Sequence, residues 1–180
     1  LKSLRDILMR FRQRGKRVVC YSQDYNLTDY YVATAADEIL IQPGGPLTTV
    51  GLMQQQVYLK DGLNAIGLEA DSVAISPYKS AADLLTRSEP SAENEAMSEW
   101  LLDSLYSTLV DDIASGREMT HDAVKAMIDN SPHIDTNALE QGFIDGTVRE
   151  EQFEEYLKAS EIMLWERADT ILPLRRPKPP

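Results

Sequence analysis

The spacing of apolar residues predicts one helix at the start of the chain and a longer one near its middle. Leu4, Ile7, Leu8 and Phe11 recur three or four positions apart, which predicts an amphipathic helix that Gly15 ends. The longest pattern starts after Ser91, a residue type that caps helices, and stops at Gly116. Its apolar positions lie four apart, at Met97, Leu101, Leu105, Leu109 and Ile113.

Shorter helices are predicted between these two and after them. They cover 57–66, the residues that follow Thr120, the surroundings of Ala138 and Leu139, and 150–165. A further short helix through Tyr30, Tyr31 and Ala35 would be capped by Asn26 or Thr28.

Short apolar runs rich in β-branched residues predict strands between the helices. These runs are 17–22 and 38–41. Residues 68–75 alternate only loosely and are also predicted to be a strand, and 143–148 reads as a short extended element. Residues 76–90 are polar and irregular. Strands that alternate with helices are typical of βα units, so the sequence predicts an α/β fold with a mostly parallel sheet.

Composition and charge narrow the possible functions. Apolar residues make up 43% of the chain and charged residues 26%, as in an ordinary globular domain, and the formal net charge is -11. An acidic surface repels phosphate, so no nucleic-acid partner is expected. The chain starts at Leu1, within a helical pattern, and it is expected to be a piece of a longer polypeptide.

Few residues are candidates for a catalytic, metal-binding or phosphate-binding site. Cys20 lies in an apolar run and reads as a strand thiol, while His121 and His133 lie in polar surroundings and are predicted to be solvated. No cluster has metal-ligand spacing, so neither a metal nor a cofactor is expected. Gly44-Gly45 lies between prolines and predicts a turn rather than a phosphate-binding loop.

Lys79 could act as a base, but only under one condition. Its amine must be neutral near working pH, which burial in an apolar cleft achieves because desolvation disfavours the ammonium. A neutral amine could then take a proton from a serine hydroxyl. Ser80 is a poor partner, because adjacent side chains rarely converge. From the residues alone, Lys79 reads as an ordinary surface lysine.

Six segments, taken in order, match the sequence pattern of one family. They are Gly15 to Val19, Tyr30 to Ile39, Pro46 to Gly51, Leu59 to Ile66, Tyr78-Lys79-Ser80-Ala81 and Asn137 to Val148. The family that they resemble is signal peptide peptidase A, also called protease IV, and the resemblance covers roughly residues 2–148. The resemblance implies a ClpP/crotonase-like spiral of βα units with a mostly parallel sheet core and flanking helices, and it makes Lys79 the general base of a Ser–Lys peptidase.

One departure from the family pattern limits what this chain does alone. Catalytic repeats of the family carry a Ser-Gly-Gly-Tyr segment whose serine is the nucleophile, and Leu27 occupies that position here. The long form of the family has two repeats, the first with the lysine and the second with the serine. Residues 1–150 are therefore expected to be the lysine-bearing peptidase repeat, and 151–180 a helix and a Pro-rich linker between repeats.

The resemblance also implies substrates, partners and location for the parent protein. Substrates would be cleaved signal peptides or other hydrophobic segments, and the partners a serine-bearing repeat and further copies in a homo-oligomer, often a tetramer. The parent would be membrane-associated in the cell envelope. Two alternatives stay open: a degenerate repeat that is only a scaffold, and an acyl-CoA enzyme of the crotonase type, which shares the fold.

Overall fold

The computed structural model describes residues 1–73 and 75–159, which form eight α-helices and six strands. The helices are α1 (Lys2–Gln13), α2 (Leu27–Ala33), α3 (Lys60–Ala65), α4 (Asp83–Thr86), α5 (Ala92–Arg117), α6 (His121–Asp129), α7 (Asp135–Glu140) and α8 (Glu150–Ala159). The strands are β1 (Val19–Ser22), β2 (Tyr25–Asn26), β3 (Glu38–Ile41), β4 (Pro46–Thr48), β5 (His133–Ile134) and β6 (Gly146–Thr147). Within these residues, no helix has the length and apolar character needed to cross a membrane.

Two small sheets organise the chain. The first has the order β1-β3-β6 and is parallel throughout, with Cys20 opposite Ile39 and Leu40 opposite Gly146. The second has the order β2-β4-β5, with a parallel pair followed by an antiparallel pair. The predicted α/β fold with a mostly parallel sheet and flanking helices is confirmed. The second sheet was not predicted, because strands of two or three residues are too short to show an alternating pattern.

The core lies between the sheets, α2 and the C-terminal part of α5. Ile39, Leu40 and Ile41 of β3 are fully buried, as are Tyr30 of α2 and Ile113 of α5. The Tyr30 hydroxyl donates to the carbonyl of Phe143 at 2.7 Å. Burial raises the pKa of Tyr30, because the phenolate form would lie in an apolar interior.

Arg117 and Asp145 join the end of α5 to the first sheet. The Arg117 guanidinium donates to both carboxylate oxygens of Asp145, at 2.8 and 2.9 Å, and to the carbonyl of Gly142. Asp145 also accepts the backbone N–H of Ile39 at 2.7 Å. A bidentate pair of this kind fixes geometry as well as contributing energy. It therefore fixes the segment before β6 against β3.

Helix α1 attaches through a buried arginine rather than through its apolar stripe. Arg5 is 3% exposed, and its guanidinium donates to the carbonyls of Tyr31 and Asp112. It also lies over the Tyr31 ring, 4.6 Å from the centroid. Burial and the hydrogen bond to Asp112 raise the pKa of Tyr31 to about 12. Leu4 and Phe11, which carried the helix prediction, are largely exposed.

Several predicted elements need correction. Residues 68–73 and 75 form no strand, so that prediction was wrong. The helix predicted over 57–66 is shorter, and α5 ends at Arg117 because Glu118 adopts a left-handed conformation with φ 54°. Asn26 rather than Thr28 caps α2. The end of the predicted helix 150–165 and the Pro-rich linker lie outside the described residues, and the division at residue 150 stays a prediction.

Residues 50–108, which we call the lobe, differ from the rest of the chain. No described residue of the lobe is buried. It contains α3, a 3-10 turn (Ser80–Ala82), α4 and the N-terminal part of α5. Burial begins again at Leu109 and Val110, where α5 enters the core. Lys79 lies in this lobe.

Candidate functional site

Lys79 lies just before the 3-10 turn, on the surface of the lobe. Its backbone N–H donates to the carbonyl of Ser76 at 3.0 Å, and its side chain is exposed. The neighbouring Tyr78 is 61% exposed. The described residues therefore do not supply the apolar burial that would make the Lys79 amine a base. Any such burial has to come from outside residues 1–73 and 75–159.

Polar contacts join the segment before α3 to α4 and α5. The side-chain amide of Gln56 donates to the Ser98 hydroxyl at 2.8 Å, and that of Asn94 donates to Gln56 at 3.0 Å. The backbone N–H of Leu59 donates to the carbonyl of Leu84 at 2.7 Å. A cavity of about 280 Å³ lies between these segments, and Ser80, the residue after Lys79, lines it. Hydrogen bonds thus join the segments of the lobe to one another, although none of its described residues is buried.

The position of the family's nucleophile lies in the core instead of in an open cleft. Leu27 is the first residue of α2 and is 6% exposed. Asn26 caps the helix: its side-chain oxygen accepts the Asp29 N–H at 3.0 Å and the Thr28 hydroxyl at 2.6 Å. Its amide donates to the Asp29 carboxylate at 2.7 Å. These contacts occupy the first turn of α2, and the residue that the resemblance aligns with the nucleophilic serine is a buried leucine.

Replacing Leu27 by serine is expected to destabilise the chain without creating a hydrolase. Leu27→Ser leaves a space in the core and buries a hydroxyl, which costs about 3 kcal/mol of unfolding free energy. Urea denaturation measures the loss, and a fluorophosphonate probe for activated serines is expected to leave the variant unlabelled. Leu101→Ser is the control, since Leu101 is 46% exposed. Labelling at residue 27 would contradict this account of the site.

The two histidines differ from each other. His121 is exposed, as predicted. Its Nε2 lies 3.2 Å from Oδ1 of Asp111. The same prediction for His133 was wrong, because its ring is 7% exposed and packs against Phe143. Its Nε2 lies 2.7 Å from the carbonyl of Met127, an atom that only accepts, so Nε2 donates there. His133 lines a groove of about 740 Å³ that contains no residue of the lobe.

The remaining candidates have structural roles. Cys20 lies in β1, half-buried, and burial raises the pKa of its thiol, which disfavours the reactive thiolate. Gly44 and Gly45 form the predicted turn: Gly44 has φ 81°, and a Cβ on Gly45 would lie 2.1 Å from the carbonyl oxygen of Gln23. Within the described part of the chain, no three His, Cys, Asp or Glu side chains gather as a metal site.

The parallel sheet and its flanking helices define an α/β domain, and the sequence assigns that domain to a family. The chain belongs to peptidase family S49, because the sequence model of that family matches residues 10–162. This assignment and the named relatives confirm the resemblance to signal peptide peptidase A. The role of Lys79 is a separate question, which family membership leaves untested.

Relatives carry names of the same kind. The chain is 28% identical over 144 residues to the chloroplastic serine protease SPPA of Arabidopsis thaliana, with 80% of this chain and 21% of that protein aligned. It is 29% identical to Protease 4 of Haemophilus influenzae, with 63% and 18% aligned. It is also 29% identical to a putative signal peptide peptidase SppA of Enterococcus faecium, with 64% and 33% aligned. The aligned part of the chain thus spans between 18% and 33% of the length of these relatives.

A solved structure aligns over most of the chain. It is a mutant of the membrane-bound stomatin-specific protease 1510-N, 15% identical, with a TM-score of 0.49. The alignment covers 90% of this chain and 64% of that structure.

Proposed function

We propose that this chain is the lysine-bearing repeat of a serine peptidase of the signal peptide peptidase A type. Lys79 is its general base, and the nucleophilic serine belongs to another repeat. One observation carries this proposal: the Tyr-Lys-Ser-Ala segment is exposed on the lobe, whereas the nucleophile position is filled by the buried Leu27. The proposed repeat therefore presents a lysine and has a leucine at the position of the nucleophilic serine.

The proposed reaction follows from the chemistry of an amine and a hydroxyl. The serine oxygen of the other repeat attacks the peptide carbonyl carbon while the Lys79 Nζ takes the hydroxyl proton. Backbone N–H groups of the serine-bearing repeat stabilise the oxyanion. Lys79 then gives the proton to the leaving amine, and an acyl-enzyme remains on the serine. A water molecule, activated by Lys79, hydrolyses the acyl-enzyme and returns the serine.

The setting of the reaction is part of the proposal. Substrates are cleaved signal peptides or other hydrophobic segments, and the parent protein is a homo-oligomer associated with the membrane of the cell envelope. No cofactor takes part. The names of the matched relatives support the peptidase activity, since they are called a serine protease, Protease 4 and a signal peptide peptidase.

The isolated chain is expected to be inactive, and the parent protein active. A fluorogenic peptide with apolar residues before the cleaved bond is incubated with residues 1–180 alone and with the full parent polypeptide, at equal concentration. Hydrolysis by the parent alone, together with a Ser-Gly-Gly-Tyr segment elsewhere in its sequence, supports the proposal. Hydrolysis by residues 1–180 would show that a second repeat is not needed, and the proposal would fail.

The absence of a nucleophile also favours a second candidate, a non-catalytic scaffold of the same fold. In that case Leu27 reflects the loss of catalysis from the whole repeat, and Lys79 has no chemical role. The two candidates differ in what they require of the parent. If the repeat is a scaffold, substitution of Lys79 leaves the activity of the parent unchanged. If Lys79 is the general base, the substitution abolishes that activity.

A further inference from the structure

His133 and its neighbours form a groove that the proposed reaction does not use. Residues of α6, β5 and α7 line this groove, which we call the His133 groove, and its volume is about 740 Å³. That volume falls within the range of about 300–1,000 Å³ that is usual for ligand sites. None of its lining residues belongs to the lobe that carries Lys79. The groove is therefore a candidate binding site in its own right.

One side of the His133 groove is in place before a ligand binds. The Nε2 of His133 donates to the carbonyl of Met127 at 2.7 Å, and the ring lies edge-on to Phe143, with the ring centroids 5.0 Å apart. All three residues are buried. A surface that needs no reordering spares the ligand an entropic cost on binding. This side of the groove is therefore preorganised and largely apolar.

The lining of the His133 groove carries no charged residue type. Charged residues make up 26% of the chain, yet among the described residues the eleven that line the groove include no Asp, Glu, Lys or Arg. Ile134, which is 64% exposed, adds apolar surface to the lining. A charged group that enters such a site loses solvation without gaining a partner. The groove therefore suits an uncharged ligand with apolar side chains.

Three side-chain amides give the His133 groove its hydrogen-bonding capacity. The amide nitrogen of Asn130 donates to the carbonyl of Ala126 at 2.7 Å, so its oxygen is left to accept from a ligand. One end of the Asn137 amide lies 3.1 Å from Nδ1 of His133, which leaves the other end for a ligand. The Gln141 side chain bonds to none of the residues that the structure describes. Amides complement peptide groups, because both offer N–H donors and a carbonyl acceptor.

We infer that the His133 groove binds an extended, uncharged and apolar stretch of the peptide substrate. The main chain of the peptide bonds to Asn130, Asn137 and Gln141, and its side chains pack on the apolar lining. The presence of a peptide site rests on the groove itself, while the assignment of its ligand to a substrate rests on the proposed function. Such a site selects apolar segments through contacts that involve none of the reacting atoms.

Nuclear magnetic resonance of residues 1–180 tests this inference without reference to hydrolysis. A short peptide of alanine and leucine, acetylated and amidated so that it has no charge, is titrated into the ¹⁵N-labelled chain. The backbone N–H signals of Ala126, His133 and Gln141 are expected to shift and to saturate together. A peptide with lysines in place of leucines is expected to bind at least about tenfold more weakly, because the groove has no partner for the added charge. Tighter binding of the lysine peptide would show that the acidic surface attracts it, and the inference would fail.

Substitutions in the lining locate the binding. Ala126→Glu is expected to weaken binding at least about tenfold, because it places an unpaired carboxylate beside an apolar ligand. Ala126 is exposed on α6, so the fold is expected to persist, which circular dichroism checks. Ala96→Glu is the matched control, since Ala96 is exposed on α5 and does not line the groove, and it is expected to leave binding unchanged. Gln141→Leu keeps an apolar lining but removes an amide, and it is expected to weaken binding by about three- to tenfold.

The outcomes separate this inference from the proposed function. Equal binding by the wild-type chain and Ala126→Glu would overturn the site, and unchanged binding by Gln141→Leu would refute recognition of the peptide main chain. A parent that hydrolyses peptides while residues 1–180 bind none would refute the groove and leave the proposed function standing. Peptide binding in the groove, together with a parent that hydrolyses nothing, would support the site and refute the assignment of its ligand to a substrate.

Discussion

If Lys79 is the general base, Lys79→Ala in the parent protein is expected to lower the rate of peptide hydrolysis by about 1,000-fold or more. Removal of a positioned base typically costs a factor of 10² to 10⁴, and more when base and nucleophile act as a unit. Lys79→Arg is expected to fail equally, because a guanidinium does not give up its proton near neutral pH. Initial rates on a fluorogenic apolar peptide measure both variants.

Lys60→Ala is the control for this experiment. Lys60 is exposed and lies in the same lobe, in α3, so its removal changes the charge of the lobe by the same amount. It is expected to leave the rate within about twofold of the wild-type value, since exposed charges contribute little. Full activity of the Lys79→Ala parent would favour the scaffold, and an equal loss in both variants would point to charge rather than to catalysis.

Gly116→Ala is expected to destabilise the isolated chain by at least about 2 kcal/mol. A Cβ at this position of α5 would lie 2.2 Å from the carbonyl oxygen of Thr34 and 3.0 Å from its carbonyl carbon. Thr34 is fully buried at the end of α2, so the backbone there has no room to retreat. Thermal unfolding is expected to show a melting temperature lower by about 5 °C.

A second helical glycine provides the comparison for Gly116. Gly62 lies in α3, and a Cβ there would meet no atom within 4 Å. Gly62→Ala is expected to be neutral or to stabilise by up to about 1 kcal/mol, because alanine is the better helix former. If both substitutions destabilised equally, helix flexibility rather than the contact between α5 and α2 would be the explanation.

Local patterns predicted the elements that carry strong signals. Ser91 caps α5 as predicted, and Thr120 caps the helix predicted to follow it; their hydroxyl oxygens accept the Asn94 and Ala123 N–H groups. The strand predicted at 38–41 has those bounds, since a run of buried β-branched and apolar residues leaves little ambiguity. These predictions rest on nearest neighbours in the sequence, which is why they needed no knowledge of the fold.

Contacts between distant residues explain what the local sequence patterns missed. Arg5 is buried because Tyr31, Thr34 and Asp112 surround its guanidinium, and no local pattern shows such partners. His133 is buried because the carbonyl of Met127 accepts from its ring. Histidine was predicted to be solvated from its polar neighbours alone, which say nothing about the groove on which it lies.

The candidate site was predictable only in part, for the same reason. The Tyr-Lys-Ser-Ala segment and the missing serine can be read from the sequence, and the structure places Leu27 in the core. The solvent exposure of the Lys79 side chain depends on residues that are distant in sequence. The described residues leave this side chain exposed.

The hydrogen bonds at the start of α2 have a consequence for how such a repeat can change over time. Asn26, Thr28 and Asp29 together satisfy the helix end, and Leu27 fills the space beneath it. Each of these residues suits the others, so Leu27→Ser alone would lose core packing without opening the helix end. If catalysis is divided between repeats as proposed, a repeat with this helix end regains a nucleophile only through several coupled substitutions.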